Sequence, residues 1–304
     1  MKVTLLYNPK DRGINGDNWK LNNYRFFRDE LPKHVDLDVV IDMCQVHPDT
    51  EAVILWSLLP KHIDTMCVDG FEDLKCLKIT RAPDAWQINK AYNKTAKELG
   101  IDLVVSFQSP KCQYDFLDKD IRYERFVLGI DEETYRYNSP WNSWDGRVKD
   151  KILSSGVLDN RWWFYRFRDM VTEHPFVEYI PKKEFLGTEY WRLLTSYRAA
   201  IACMSYTSVL KYFEIPMCGC LMFAEVNQMN QIAEMGFEDG VNCVYIDNLN
   251  YKQRFKEYMD TVDDPKWKQI AEAGRQHVLD NFTNEREVKR FVKLIESLAA
   301  AKRG

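Results

Sequence analysis

At 304 residues the chain is long for one α/β domain and about right for two, since single hydrophobic cores usually stop growing near ~250 residues. Hydrophobic residues make up 45% of the chain and the formal net charge is -4, so it can build a globular core and lacks the basic field that favours non-specific nucleic-acid binding. No apolar run approaches the roughly 20 residues of a membrane span, and the first apolar run is too short for a secretory signal. We therefore expect a cytoplasmic protein with no transmembrane segment and no specific nucleic-acid partner.

The eight cysteines and five histidines are scattered along the chain. No two cysteines form the C-x2-C pairs of a structural zinc site, and no H-E-x-x-H motif is present. This distribution predicts reduced, mostly buried thiols and disfavours metal-dependent hydrolysis. We expect neither a resident cofactor nor an obligatory metal ion.

In the first half of the chain, short apolar runs alternate with amphipathic segments, which predicts buried strands alternating with helices. The predicted strands are 3–7, 37–41, 52–57, 77–80 and 103–107, with 125–129 as a further candidate, and the predicted helices are 19–31 and 85–99. This alternation is typical of a mostly parallel, doubly wound sheet.

A turn-rich stretch without apolar period, 131–146, then predicts a linker. After it the predicted strands are 151–154, 177–180, 199–204, 220–224 and 243–246, and the predicted helices are 161–171, 190–197, 208–215, 228–235, 252–261, 265–282 and 285–300. The expected architecture is therefore α/β with two Rossmann-like domains, 1–147 and 148–284, and a final helix, about 285–304, compatible with a return to the first domain. Because parallel sheets bind ligands at the carboxyl ends of their strands, we expect a ligand cleft between the domains.

The segment from 204 to 240 carries the most chemical information. Tyr206, Thr207 and Ser208 fill the turn into a predicted helix, where hydroxyl and free backbone N–H groups form an anion site. Lys211, one turn further along the helix, could place a positive charge beside a diphosphate. Glu214 could accept hydrogen bonds from both hydroxyls of a ribose. The alternative interpretation is a surface salt bridge between Lys211 and Glu214 on one helix face.

Several motifs in this half resemble the C-terminal domain of the CgeB-like glycosyltransferases, a group of GT-B enzymes related to the family 1 transferases. The motifs are KYFEIPMCGCLMFAE, GFEDGVNCVYI and IAEAGRQHVLDNFTNEREV, within a resemblance that spans about 150–292. Glu214 matches the Glu of the family pattern, Gly219 matches its C-G glycine, and Gly274 and Arg275 match its A-G-R element. Lys211 stands where the family usually has Arg.

This resemblance implies a GT-B fold and metal-independent transfer of a sugar from a UDP-sugar or GDP-sugar to an acceptor hydroxyl, as in glycan biosynthesis. It places Glu214 at the ribose of the donor and Lys211 near the diphosphate. Many retaining GT-B enzymes carry a second Glu eight positions earlier, where this chain has Tyr206, so the stereochemical outcome stays open. A GT-B-type nucleotide-sugar epimerase and a non-catalytic nucleotide-sugar-binding module are the alternatives.

The resemblance also points to the turn after the first strand of the second domain. Gly156 follows that strand, and the segment RWWFYRFR supplies Arg161, Arg166 and Arg168. In the family, a glycine turn and a downstream basic residue at this place face the donor phosphates, and Arg166 is the best match. The alternative is that the arginines form a solvated helix face.

Two aspartates in the first domain are candidates for the general base that accepts the proton of the acceptor hydroxyl. Asp84 directly follows a predicted strand and should project into the cleft, although a helix N-cap would also explain it. Asp17 lies in the loop NPKDRGINGDNWK, whose glycines allow close approach of a ligand and which is alternatively a plain surface loop.

Overall fold

The structure, a computed structural model, describes residues 1–7, 25–58, 68–127, 130–131, 143–159, 161–181, 188–204, 209–227 and 232–304. The chain divides into two compact units. The first unit comprises Met1–Gly129 and Asn284–Gly304, and the second comprises Ile130–Thr283.

The first unit is built on a parallel sheet of six strands. The strands are β1 Lys2–Leu6, β2 Asp36–Val40, β3 Ala52–Leu55, β4 Leu77–Arg81, β5 Leu103–Ser106 and β6 Tyr123–Arg125, in the spatial order β2-β1-β3-β4-β5-β6. Alternate residues enter two different cores, with Val3 and Ile54 on one face of the sheet and Leu6 and Val53 on the other. A sheet buried on both faces explains why its strands are continuous apolar runs.

Short helices connect these strands. They are a π-helical turn at Phe26–Glu30, 3-10 turns at Leu31–Lys33, Met43–Gln45, Phe71–Asp73 and Ala85–Gln87, and the helices α1 Lys90–Glu98 and α2 Pro110–Gln113. The Asn89 side chain accepts a hydrogen bond from the Tyr92 N–H, which starts α1 at Lys90 rather than at the predicted residue 85.

The second unit contains a parallel sheet of five strands. The strands are β7 Val148–Gly156, β8 Val177–Pro181, β9 Tyr197–Ala202, β10 Leu221–Glu225 and β11 Val244–Ile246, in the spatial order β11-β10-β9-β7-β8. The helices are α3 Arg166–Thr172, α4 Thr188–Ser196, α5 Lys211–Met217, α6 Tyr251–Asp260 and α7 Pro265–Asn281, with 3-10 turns at Trp144–Gly146, Trp163–Tyr165 and Ile232–Met235. One face of this sheet packs its apolar side chains against α3, α6 and α7.

The last helix, α8 Asn284–Arg303, belongs to the first unit. Its side chains Val288, Phe291 and Ile295 are buried in the core beside β1 and β3. Glu287 accepts a hydrogen bond from the Val127 N–H at 2.8 Å, which ties the helix to the end of β6. The C-terminal residues thus complete a core formed mainly by the N-terminal residues.

The predicted α/β class with two parallel sheets is confirmed. The units divide at residues 129 and 130, earlier than the predicted division at 147, because residues of the predicted linker pack in the second unit. The Trp144 carbonyl accepts a hydrogen bond from Arg198 at 2.9 Å, and Arg147 donates to the carbonyl of Gly219 at 2.7 Å.

The seven cysteines within the described ranges are free thiols, five of them buried. In the same ranges, no helix combines the length and the apolar character that crossing a bilayer requires.

Candidate functional site

The strand order of the second sheet marks one place at its edge where the chain connections diverge. β7 lies between β8 and β9, so the chain leaves β7 toward one side of the sheet and continues from β8 to the other. In open parallel sheets such a switch point leaves a crevice at the carboxyl ends of the two central strands. Here the two strand ends at the switch point are Gly156, which ends β7, and Ala202, which ends β9.

Gly156 is in contact with two cationic side chains. Its φ of +121° is one that residues with a side chain rarely adopt, and a Cβ atom there would lie 2.9 Å from Lys211 Nζ and 3.1 Å from Arg168 Nη1. Lys211 is only 9% exposed and Arg168 only 5%. The missing side chain of Gly156 thus leaves the space in which two buried cations approach the end of β7.

The guanidinium of Arg168 donates its hydrogen bonds to backbone carbonyl groups. Its Nη1 donates to the Val157 carbonyl at 2.9 Å, and its Nη2 donates to the carbonyls of Cys203 and Met204 at 3.1 and 3.0 Å. Its guanidinium also lies over the ring of Tyr165, 4.7 Å from the centroid. Since carbonyl groups carry no net charge, these contacts orient the guanidinium without neutralising it.

Lys211 reaches the same strand end from α5. Its Nζ donates to the Ser155 carbonyl and, at 3.0 Å, to Ser155 Oγ, which is 3.2 Å from the hydroxyl of Tyr190. Burial and the negative charge of Glu214 raise the pKa of Tyr190 above its ordinary value. Glu214, which is half-buried, therefore lies within electrostatic range of the Tyr190 hydroxyl, next to the Ser155 side chain that Lys211 contacts.

The structure brings together three of the predicted binding residues, Gly156, Lys211 and Glu214, although 55 residues separate the first two in sequence. The predicted arginine, Arg166, is exposed, and Arg168 is the arginine that lies beside Gly156. Tyr206, Thr207 and Ser208 lie outside the described residues.

Gly219 lies at the opposite edge of the sheet, where α5 ends and β10 is about to begin. Its φ is +64°, and its carbonyl accepts a hydrogen bond from Arg147. Arg275 donates to the Met217 carbonyl at 3.2 Å, and a Cβ atom on Gly274 would lie 2.4 Å from the Asn242 carbonyl oxygen. These motif residues therefore end α5 and allow close packing of α7, and the structure does not bring them to the two cations.

In the first unit, Asp84 follows β4 and is exposed. It occupies the N-cap position of the 3-10 turn Ala85–Gln87, but its side chain makes no capping hydrogen bond. Gln108 Nε2 lies 3.5 Å from Asp84 Oδ1. The other predicted base, Asp17, lies outside the described residues.

Three residues of this site were not predicted from the sequence: Ser155, Tyr190 and Glu225. Glu225 ends β10 and accepts a hydrogen bond from the Met204 N–H at 2.9 Å, and burial raises its pKa to about 7. Beyond Gly156, Trp162 and Trp163 are 45% and 54% exposed. Across the described ranges, no group of three or more His, Cys, Asp and Glu side chains is arranged to hold a metal ion.

Residues 161–293, which include α3 and α5, match the family described as Glycosyl transferase-like. No curated protein sequence is significantly similar to the chain. The match does not distinguish the CgeB-like group from other glycosyltransferases.

Solved structures with a similar fold cover nearly the whole chain. Sucrose-phosphate synthase from Thermosynechococcus elongatus shares 11% identity with a TM-score of 0.64, over 99% of this chain and 100% of that one. HepE from Anabaena in complex with UDP shares 12% identity with a TM-score of 0.61, over 98% of this chain and 100% of that one. A glycosyltransferase from Rickettsia africae shares 10% identity with a TM-score of 0.57, over 97% and 98%. The predicted GT-B fold class is confirmed by these similarities.

Proposed function

We propose that this protein is a glycosyltransferase that moves a sugar from a nucleoside diphosphate sugar to an acceptor hydroxyl without a metal ion. The observation that carries the proposal is the pair of buried cations, Lys211 and Arg168, on either side of Gly156. They lie at the switch point of a parallel sheet, where such folds bind ligands. The GT-B fold and the complex of HepE with UDP support a nucleoside diphosphate as the ligand.

The two cations suit the chemistry of the leaving group. When the bond between the sugar and the diphosphate breaks, negative charge develops on the departing phosphate oxygen. Fixed positive groups in a poorly hydrated site stabilise that charge and need little reorganisation during the reaction. In this proposal Arg168 and Lys211 supply the stabilisation that a metal ion supplies in other transferases.

The remaining roles follow from position. Glu214 is proposed to accept hydrogen bonds from the hydroxyls of the donor ribose. It lies within electrostatic range of Tyr190, whose hydroxyl is 3.2 Å from the Ser155 Oγ that Lys211 contacts. The exposed rings of Trp162 and Trp163, a few residues beyond Gly156, offer flat surfaces on which a base or a sugar ring can stack. Asp84, exposed after β4, is the proposed general base for the acceptor.

The first test is a thermal-shift screen with UDP-, GDP-, ADP- and dTDP-sugars, because a ligand that binds the native state raises the melting temperature. We expect UDP-glucose or a related donor to give a shift that Arg168→Met and Lys211→Met abolish. Arg166→Met is the matched control, since it removes an exposed arginine from the same helix, and it should leave the shift unchanged. Equal loss in all three variants would refute the assignment of the two cations.

The second test is turnover with candidate acceptors. Release of UDP that depends on an acceptor hydroxyl is the expected result. Interconversion of the donor sugar would instead identify an epimerase, and binding without any turnover would identify a non-catalytic module.

A further inference from the structure

Glu225 is a buried carboxyl group for which the proposed transfer reaction has no use. It ends β10 and is only 6% exposed. One carboxyl oxygen accepts a hydrogen bond from the Met204 N–H at 2.9 Å, and the other accepts one from Asn227 Nδ2 at 3.2 Å. Its backbone carbonyl accepts a hydrogen bond from the Tyr212 hydroxyl at 2.8 Å.

These contacts connect Glu225 to both of the cations beside Gly156. Met204 donates its N–H to Glu225, and its carbonyl accepts a hydrogen bond from Arg168 Nη2 at 3.0 Å. The hydroxyl that binds the Glu225 carbonyl belongs to Tyr212, which follows Lys211 in α5. Glu225 therefore joins the strand end that holds Arg168 to the helix that carries Lys211.

A carboxyl group is a costly choice for a purely structural contact at this position. Burial disfavours a negative charge, and a neutral amide of the same shape could accept the Met204 hydrogen bond at lower cost. Among the described residues, the groups that face the carboxyl are Arg168 from α3, Cys203 and Met204 after β9, and Asn227 after β10. Burial raises the pKa of Glu225 to about 7, so the group changes its charge near neutral pH.

We propose that Glu225 is a positioning residue for donor binding, which holds the Met204 peptide against Arg168 and exchanges a proton when a diphosphate binds beside the two cations. This inference rests on the proposed function, because it names the diphosphate of the donor as the ligand. The arriving negative charge disfavours a second negative charge nearby, so binding moves a proton from solvent onto the Glu225 carboxylate.

The direction of the pH dependence follows from this linkage. The diphosphate of UDP-glucose is a diester and has no titrating group near neutral pH. Protonation of Glu225 removes a negative charge that faces Arg168, so the affinity for UDP-glucose should rise as the pH falls through about 7. One unit charge at a high effective dielectric corresponds to about a fivefold change in affinity.

The experiment measures UDP-glucose binding by titration calorimetry at about pH 6 and about pH 8 for the wild type, Glu225→Gln and Glu225→Ala. The amide of Glu225→Gln still accepts the Met204 hydrogen bond and cannot ionise. We expect it to bind at the higher pH as tightly as the wild type does at the lower one. Glu225→Ala, which releases the peptide, should bind at least roughly tenfold more weakly at both. Glu173→Gln, at an exposed position after α3, is the control and should follow the wild type.

Hydrogen exchange of the Met204 amide in the ligand-free protein tests the positioning without any donor. Exchange should be faster in Glu225→Ala than in the wild type and Glu225→Gln. Wild-type exchange and affinity in a folded Glu225→Ala protein, or the same pH profile in wild type and Glu225→Gln, would overturn the inference. A folded wild type that binds none of the nucleotide sugars would instead overturn the proposed function, and the exchange comparison would still decide whether Glu225 holds the Met204 peptide.

Discussion

Replacement of Gly156 by alanine is the sharpest test of the arrangement at the end of β7. The residue has a φ of +121°, and the added Cβ would lie 2.9 Å from Lys211 Nζ and 3.1 Å from Arg168 Nη1. Neither cation can move away without breaking hydrogen bonds, because Lys211 is hydrogen-bonded to Ser155 and Arg168 is hydrogen-bonded to three carbonyl groups. The substitution therefore combines backbone strain with overpacking.

The two contributions can be estimated separately. A residue with a side chain in a sparsely populated backbone region costs about 1–3 kcal/mol. Overpacking of a well-packed site costs typically about 1–3 kcal/mol more. We expect Gly156→Ala to lower the free energy of unfolding of the second unit by about 2–6 kcal/mol and to weaken UDP-glucose binding by displacing both cations.

The assay is urea unfolding, combined with calorimetric titration of UDP-glucose. Gly240→Ala is the matched control, because Gly240 lies in the same unit with a φ of +72° and nothing within 4 Å of an added Cβ. That control should lose only about 1 kcal/mol and keep its affinity. If Gly156→Ala unfolds at the same urea concentration as the control and binds UDP-glucose as the wild type does, the packing argument for the two cations is refuted.

Three further predictions concern glutamates. Burial raises the pKa of Glu225 from its ordinary 4.5 to about 7, so the folded protein binds more protons between these values, and the wild-type free energy of unfolding should fall by up to about 3 kcal/mol as the pH rises through this window. Urea unfolding at a series of pH values should show this fall in the wild type and not in Glu225→Gln. Glu214→Ala should abolish the thermal shift by UDP-glucose while the circular dichroism spectrum stays unchanged; a retained shift would remove the ribose assignment. Glu287→Ala leaves the buried Val127 N–H without its acceptor, so it should cost about 1–3 kcal/mol and speed tryptic cleavage within α8, whereas Glu296→Ala on the same helix should not.

The fold could be predicted from the sequence because its strands are buried on both faces. Their apolar runs stand out against the polar turns, and ten of the eleven observed strands overlap a predicted strand without reservation, with β6 covered only by the candidate run 125–129. Helix starts were less predictable. The segments predicted as single helices at 85–99 and 161–171 each begin with a 3-10 turn, which local capping and packing select and apolar spacing does not reveal.

The choice between Arg166 and Arg168 shows the same limit at the site. Side chains two positions apart on a helix point in directions roughly 200° apart, so only one of the two can face β7. The phase of α3 is set by the 3-10 turn Trp163–Tyr165 before it and by the burial of Phe167. The sequence predicted an arginine in this segment, but it did not reveal the rotational orientation of α3 and therefore not which arginine faces β7.

The family motifs divide in a similar way once they are placed in three dimensions. Lys211 and Glu214 lie at the carboxyl edge of the second sheet, while Gly219, Gly274 and Arg275 shape the far end of α5 and its packing on α7. A motif marks positions under a shared constraint, but contact with a ligand and close backbone packing can require the same residue type. Only the coordinates separate the two.

The sequence by itself determined the class of the fold, two successive parallel α/β sheets, and the short segments after strands in which ligand-binding residues lie. Both are local properties, since they depend on apolar runs of a few residues and the turns that follow them. Only the tertiary structure decided that Gly156, Arg168, Lys211 and Glu225 belong together, because their contacts depend on the strand order β8-β7-β9-β10. Strand order is set by packing across the whole unit, and no short stretch of sequence records it.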